Sequence, residues 1–256
     1  MLGLQQAVRN QFYLRHADEL YGQNDNYDLM DSHVLPALIR KFHLAKLLSE
    51  GKFDDIVRDF RRFGNAPDFS SDSTYFDQKG CLLPTAYSLL VDHLSKFGIK
   101  LSSSCGLKSV SFLKRDIDNS LPTAYCPVLP VSNGVTVELW GTGEARREFM
   151  YSDDMADACV FLIEREDEAI SSVLDPQTSF INIGTGEDIT IGELSQKVAE
   201  TVGYKGEIQW DATKPDGTSQ KLLNVSRLHH LGWRHKTSLR EGLRLTYQDV
   251  LSHSTR

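Results

Sequence analysis

The sequence predicts an α/β fold, and three stretches predict it. Val135, Val137 and Leu139 alternate with Thr136 and Glu138, the period-2 pattern of a half-buried strand, and Phe149 and Tyr151 read as a short second one. Phe180-Ile181-Asn182-Ile183 is a short buried strand that ends in Gly184-Thr185-Gly186 and leads to a helix with Leu194, Val198 and Val202 on one face. The segment SHVLPALIRKFHLAKLL places Leu35, Leu38, Ile39, Phe42 and Ala45 on one side of another helix.

Taken in order, Met1 to Gln11 carries a weak helical pattern, and Phe12 to Tyr21 reads as one strand closing on Leu20-Tyr21-Gly22. Gln23 to Asp31, rich in Asn and Asp, is a loop by composition. Ser32 is the expected cap of the helix that follows, with Pro36 tolerated in its first turn. His33 then falls at a helix N-terminus, where the dipole disfavours the imidazolium and favours a neutral acid/base histidine near pH 7. A capping or packing histidine is the alternative. Lys41, one to two turns along, has the reach to meet a phosphate, and otherwise reads as a solvated lysine.

From Leu47 to Asn133 the character changes. Phe53, Ile56, Val57 and Phe60 suggest one short amphipathic helix, and Tyr87 to Phe97, with Leu90, Val91 and Leu94, another. Ser- and Asp-rich runs lie between them, and Pro122, Pro127 and Pro130 punctuate the exit. This reads as an inserted subdomain or a partly disordered excursion. The chain so divides at 1–46, 47–133 and 134–256. Tyr75 and Lys79 form a Y-x-x-x-K pair, but it follows a Ser/Asp run without apolar periodicity and precedes Gly80, a context for coincidence rather than catalysis.

Beyond residue 134, Gly141 and Gly143 permit a tight turn after the first strand, and Ser152, Asp153 and Asp154 suit the start of a helix from about Met155 to Glu164. On this reading one strand-turn-strand unit projects Trp140, Arg146 and Arg147. An aromatic face beside two guanidinium groups can stack a base or sugar and grip a diphosphate bidentately. An exposed hairpin with an interface Trp and two solvated arginines accounts for the same residues. Thr190 and Glu193 form a capping box, and Ile208 and Trp210 alternate in a later strand. Lys214-Pro215-Asp216-Gly217 is a turn, whose Asp216 can accept bonds from sugar hydroxyls or serve turn chemistry alone. Ser226 suits the start of a short helix ending at Gly232. Ser238 with Glu241 opens the last one, expected to turn Leu239, Leu243, Tyr247, Val250 and Leu251 inward.

Composition narrows the function. With 256 residues, 40% of them hydrophobic, the chain can build one large or two modest cores. A net charge of −7 argues against a general binder of nucleic acid or anionic membrane, so phosphate must be met by a local site. Cys81, Cys105, Cys126 and Cys159 show neither C-x-x-C spacing nor a His cluster, so neither a metal site nor a disulfide framework is expected. No signal peptide or bilayer-length apolar run is present, and a reducing cytoplasm is the expected setting. Neither G-T-G triplet extends to a G-x-G-x-x-G dinucleotide fingerprint, because Arg146 and Ile189 stand at the third glycine position.

YGQNDNYDLMDSHVLPALIRKFHLAK, VELWGTGEARREFMYSDDMADACVFLIE, FINIGTGEDITIGEL and the run from GEIQWDATKPDGTSQKLLNVSRLHHLGW to SLREGL together resemble the second half of the GDP-L-fucose synthases. These are NADP-dependent members of the extended short-chain dehydrogenase family. The resemblance covers about Leu20 to Lys46 and Val135 to Leu251. It implies the C-terminal, substrate-binding part of a Rossmann-type fold and a homodimer. It also implies epimerisation of GDP-4-keto-6-deoxymannose at C3 and C5, followed by reduction at C4 with NADPH. His33 matches the family's acid/base histidine, which lies near the nicotinamide. Leu20 and His33 are its cofactor-side positions, and Lys41, Trp140, Arg147 and Asp216 match its substrate-binding positions.

The family's glycine-rich NADP loop, its Ser-Tyr-Lys set and the Cys partnering the histidine have no counterpart here. The expectation is a polypeptide without its dinucleotide-binding half and inactive alone. Before Leu20, where the family has Pro-Thr-Asn, this chain has Ala17-Asp18-Glu19, two carboxylates on the cofactor side. Three competing readings remain: a sugar-nucleotide-binding module without chemistry, another NAD-dependent sugar-nucleotide epimerase or dehydratase, and an interaction protein built around the inserted helices.

Overall fold

The computed structural model describes residues 13–17, 19–67, 75, 84–101, 134–174 and 179–254. The initial helical pattern, Asp18, Lys79, the three proline positions and all cysteines but Cys159 lie outside them. In chain order the elements are β1 (Tyr13–His16), β2 (Glu19–Tyr21), α1 (Val34–Ser49), α2 (Phe53–Phe63), α3 (Pro84–Ser95), β3 (Ile99–Leu101), β4 (Val135–Trp140), β5 (Arg146–Arg147) and β6 (Phe149–Tyr151). They continue with α4 (Ser152–Ile163), α5 (Asp167–Val173), β7 (Phe180–Ile183), β8 (Ile189–Thr190), α6 (Ile191–Val202), β9 (Glu207–Asp211), β10 (Gln220–Lys221), α7 (Ser226–His230) and α8 (Leu239–Ser254). Mixed helices and mostly parallel strand pairs make this an α/β fold, as the periodicities require.

The described residues form two compact units. One is drawn from residues up to Asp25, Gly143–Leu194 and Asp216–Ser252, the other from Asn26–Thr142 and Ser195–Pro215. This division runs differently from the sequence boundaries at 46/47 and 133/134.

In the first unit, β1 pairs in parallel with β7 and β2 with β6, while β5 lies between parallel β10 and antiparallel β8. The single strand expected over Phe12 to Tyr21 is two, broken at Ala17, whose N–H turns to the Ile183 carbonyl at 3.0 Å. The core gathers Ala17, Met150, Ala158, Leu162, Ile170, Ile181, Ile183, Leu228 and Trp233. Trp233 donates its indole N–H to Asp157 at 2.8 Å, so its polar edge is satisfied. Tyr21 sits against Gly242, where a Cβ would fall 2.2 Å from the phenol oxygen. Only glycine on α8 lets the two elements approach so closely. Leu243, Tyr247 and Val250 are buried as expected, but Leu251, in the last turn of α8, is exposed.

In the second unit, β4 is the central strand, antiparallel to β3 and parallel to β9. Phe42 of α1 packs against Tyr204, whose hydroxyl donates to the Val135 carbonyl at 2.7 Å. Lys46 donates to Val202 at the end of α6, a favourable place for a cation. The segment expected to be a separate insertion supplies α2, α3 and β3 to this unit. Burial on α1 extends past the apolar stripe to Arg40, fully enclosed and paired with Asp59 at 2.7 Å.

Three caps differ from expectation. His33, not Ser32, is the N-cap of α1; Tyr151 precedes α4, which starts at Ser152 rather than Met155; Val225, not Ser226, precedes α7. None of the three makes a side-chain cap bond. The capping box is as the sequence reads: Thr190 Oγ1 accepts from Glu193 N at 3.1 Å, and Glu193 Oε2 accepts from Thr190 N at 3.2 Å.

Candidate functional site

The strand-turn-strand unit does not exist as a hairpin. β4 bonds to β3 and β9, β6 bonds to β2, and the chain passes from the second unit to the first at Thr142–Gly143. Period-2 alternation reports burial of one face and carries no information on which strand lies alongside. Trp140 and Lys41 with His33 therefore belong to one unit, Arg147 and Asp216 to the other.

In the second unit, Trp140 ends β4 with 71% of its surface exposed, and the Lys214 ammonium stands 5.6 Å from the ring centroid. An exposed indole offers a stacking face to a planar group, and the ammonium beside it attracts an anion. The platform is anchored beneath, since Gly141 N–H donates to Asp211 O at 3.0 Å and Asp211 accepts from the Thr213 amide and hydroxyl. Lys41 reaches the same strand, donating to the Glu138 carbonyl at 3.3 Å. Burial lowers its ammonium to about 8, with Glu138 opposing the shift. Lys41 is thus a desolvated, still charged amine at neutral pH, the state that gains most from meeting a phosphate. His33 is exposed at the start of α1, where its carbonyl accepts from Ala37 N–H at 3.1 Å.

In the first unit the two arginines have separate tasks. Arg146 is held by Asp188 through Nε at 2.8 Å and Nη2 at 2.6 Å, and Gln220 also donates to Asp188. The expectation of two guanidiniums for a diphosphate is corrected to one, because this fork already holds a carboxylate. Arg147 gives Nη1 to the adjacent Arg146 carbonyl at 2.8 Å. Beside it runs the turn after Asp216, where a Cβ on Gly217 would lie 3.8 Å from Arg147 Nη2. Lys221 is its register partner on β10, and two cations side by side on neighbouring strands favour an anion nearby. Both line a cavity of about 40 Å³ with Glu19, Glu148, Leu222 and Leu223, room for water rather than a nucleotide. Leu20, on β2, packs against the core.

Glu148, Lys214 and Lys221 escaped the sequence reading. Glu148 is buried and accepts from Gly186 N–H at 2.7 Å, Leu223 N–H at 3.0 Å and the Thr185 hydroxyl at 3.3 Å. The second G-T-G turn therefore spends an amide on an internal carboxylate instead of offering it to a phosphate. Lys214 and Lys221 gave no signal beyond ordinary turn and surface lysines. Among the described residues no cluster of three metal-ligating side chains occurs, and no helix is long and apolar enough to cross a membrane.

Comparison with known proteins places these residues in context. Residues 118–184 match the model of the NAD dependent epimerase/dehydratase family. A GDP-L-fucose synthase of Escherichia coli K12 is 49% identical over 124 residues, 48% of this chain and 39% of that protein. GDP-L-fucose synthase 1 of Arabidopsis thaliana is 47% identical over 234 residues, 91% of this chain and 44% of that protein. A GDP-mannoheptose C4 reductase of Campylobacter jejuni, solved with NADP bound, superposes with a TM-score of 0.64 at 30% identity, over 96% of this chain and 55% of that one. The chain thus spans about half the length of the curated relatives it matches. By sequence and by fold, the chain is similar to part of the GDP-L-fucose synthases, and its residues 118–184 match the NAD dependent epimerase/dehydratase family.

Proposed function

We propose that this chain carries the GDP-sugar-binding residues of a GDP-L-fucose synthase, which epimerises GDP-4-keto-6-deoxymannose at C3 and C5 and reduces it at C4. The observation that carries the reading is the chemistry of the side chains that the resemblance assigns to substrate. They are an exposed indole with an ammonium beside it, a desolvated lysine near pKa 8, and Arg147 next to the Asp216–Gly217 turn. In one unit Lys41 suits a phosphate oxygen and Trp140 offers a stacking face; in the other Arg147 suits a phosphate oxygen and Asp216 accepts from sugar hydroxyls. His33 exchanges a proton at an epimerised carbon, and its exposure at a helix start leaves the imidazole accessible to substrate.

NADPH supplies hydride in this family. The second G-T-G turn fits a dinucleotide poorly, because Glu148 holds the Gly186 amide, and no hydride step is assigned to side chains of this chain. That same observation favours a second reading, a GDP-sugar-binding module without chemistry.

Deuterium incorporation separates the two. The purified chain is given the keto sugar in D₂O, and C3 and C5 are followed by NMR. Incorporation that falls about 10²- to 10⁴-fold in His33→Asn supports the enzyme. GDP binding with no incorporation supports the module, and neither binding nor incorporation removes both.

A further inference from the structure

Asn65, just beyond the C-terminus of α2, holds three neighbours at once. Its Oδ1 accepts from Arg40 Nη1 and from the Leu29 amide, both at 3.0 Å, and its Nδ2 donates to the Asp28 carboxylate at 3.2 and 3.3 Å. Its carbonyl accepts from His93 Nε2 of α3 at 2.6 Å. The backbone at Asn65 has φ 65°, a left-handed conformation that Asn tolerates better than other side chains and that aims both ends of its amide inward.

The contacts continue on both sides. Asp28 accepts from Met30 N–H at 2.7 Å and Asp31 N–H at 3.1 Å, and its carbonyl accepts from Ser32 N–H at 3.1 Å, so one residue ties down the run that ends at His33. These bonds, the Met30 amide first, hold the Asp28 carboxyl below its usual range. Arg40 meanwhile donates to the carbonyls of Tyr27 at 2.9 Å, Phe63 at 3.1 Å and Gly64 at 2.7 Å while paired with Asp59.

We infer that Asn65 is a positioning residue for His33: it locks the Asp28–Ser32 turn, and with it the approach to the N-cap of α1, onto α2 and α3. The segment that reads in sequence as an excursion is, over α2 and α3, a brace for the proposed acid/base histidine. A histidine at an N-cap has its backbone set by the preceding turn, and that turn is largely polar, with Met30 exposed. The inference rests on the proposed role of His33 only for its functional meaning; its test uses no substrate and so fails or stands separately.

The test is amide hydrogen exchange with side-chain NMR on the whole chain. Asn65→Gly keeps the left-handed backbone and removes the side chain, and Asn65→Asp keeps the acceptor for Arg40 and Leu29 but loses the donor to Asp28. For Asn65→Gly, the amides of Leu29, Met30, Asp31 and Ser32 should exchange on the order of tenfold faster, the size of one lost hydrogen bond. The His33 ring resonances should shift, while amides in mid α1 and in β4 stay unchanged. Asn65→Asp should retain slow exchange at Leu29 and lose it at Met30 and Asp31. Unchanged exchange across Leu29–Ser32 in Asn65→Gly would overturn the inference, as would a uniform acceleration throughout the unit, which marks general destabilisation.

Discussion

Glu148 and Gly186 are joined by a 2.7 Å hydrogen bond in which a buried carboxylate takes the amide of a glycine-rich turn. A Cβ at neighbouring Gly184 would fall 2.4 Å from the same carboxylate, so the turn is closed tightly around it. This relationship gives the second G-T-G triplet a structural task. A glycine turn is read as a phosphate loop only while its amides are uncommitted.

Replacing Glu148 by Ala should therefore cost about 1 to 3 kcal/mol in urea unfolding, because the part-buried Gly186 and Leu223 amides lose their acceptor. A loss below about 0.5 kcal/mol, the range of ordinary surface changes, would show that the carboxylate is dispensable.

Arg40 and Asp59 predict a non-additive pair. Asp59→Ala alone leaves an enclosed guanidinium without its carboxylate and should lose about 3 to 5 kcal/mol, and Arg40→Met with Asp59→Ala should lose less than the two single variants together, because removing the second partner no longer strands a charge. Strictly additive losses, measured by thermal and chemical unfolding, would contradict the burial argument.

His43 gives stability a pH dependence. Burial first, then Lys46, lowers its imidazolium to about 4. The unfolded chain binds a proton below the ordinary value of about 6.5 while the folded chain does not. This group's effect is thus absent above pH 6.5 and destabilises as pH falls from there to about 4, by about 1.4 kcal/mol per unit. A His43→Gln variant should flatten the unfolding free energy over that window, and an unchanged slope would assign the dependence elsewhere.

Lys41 predicts the opposite limb for ligand binding. Its ammonium is charged below about 8 and neutral above. Phosphate binding needs the charged form, so GDP affinity should fall as pH rises from 8 to 9 and stay level from 7 to 7.5. Lys41→Met should bind more weakly and without this fall; an identical pH profile in that variant would take Lys41 out of the site.

Much of the fold was legible in the sequence. The stripe on α1, the Thr190–Glu193 capping box and the buried strand β7 are local, periodic signals, and each stands where it was read. What escaped depends on partners distant in sequence. Nothing in Val135–Tyr151 tells that β4 and β6 join different sheets, and only the approach of Asp188 reveals that Arg146 is committed. Asn65 reads as a loop residue until Asp28 and Arg40 are seen beside it, and Lys221 as a surface lysine until β10 meets β5.

The most direct test of GDP-sugar binding is calorimetric titration of GDP into the purified chain, Arg147→Ala and Trp140→Ala. Loss of a charge-assisted fork to a diphosphate should weaken binding by about 1.5 to 3 kcal/mol, roughly 10- to 150-fold, and loss of the stacking face by about tenfold. Saturable binding by the wild type, reduced in this way by both variants, is the predicted result. Absence of GDP binding by a folded wild-type chain, or affinities untouched by both substitutions, would contradict it.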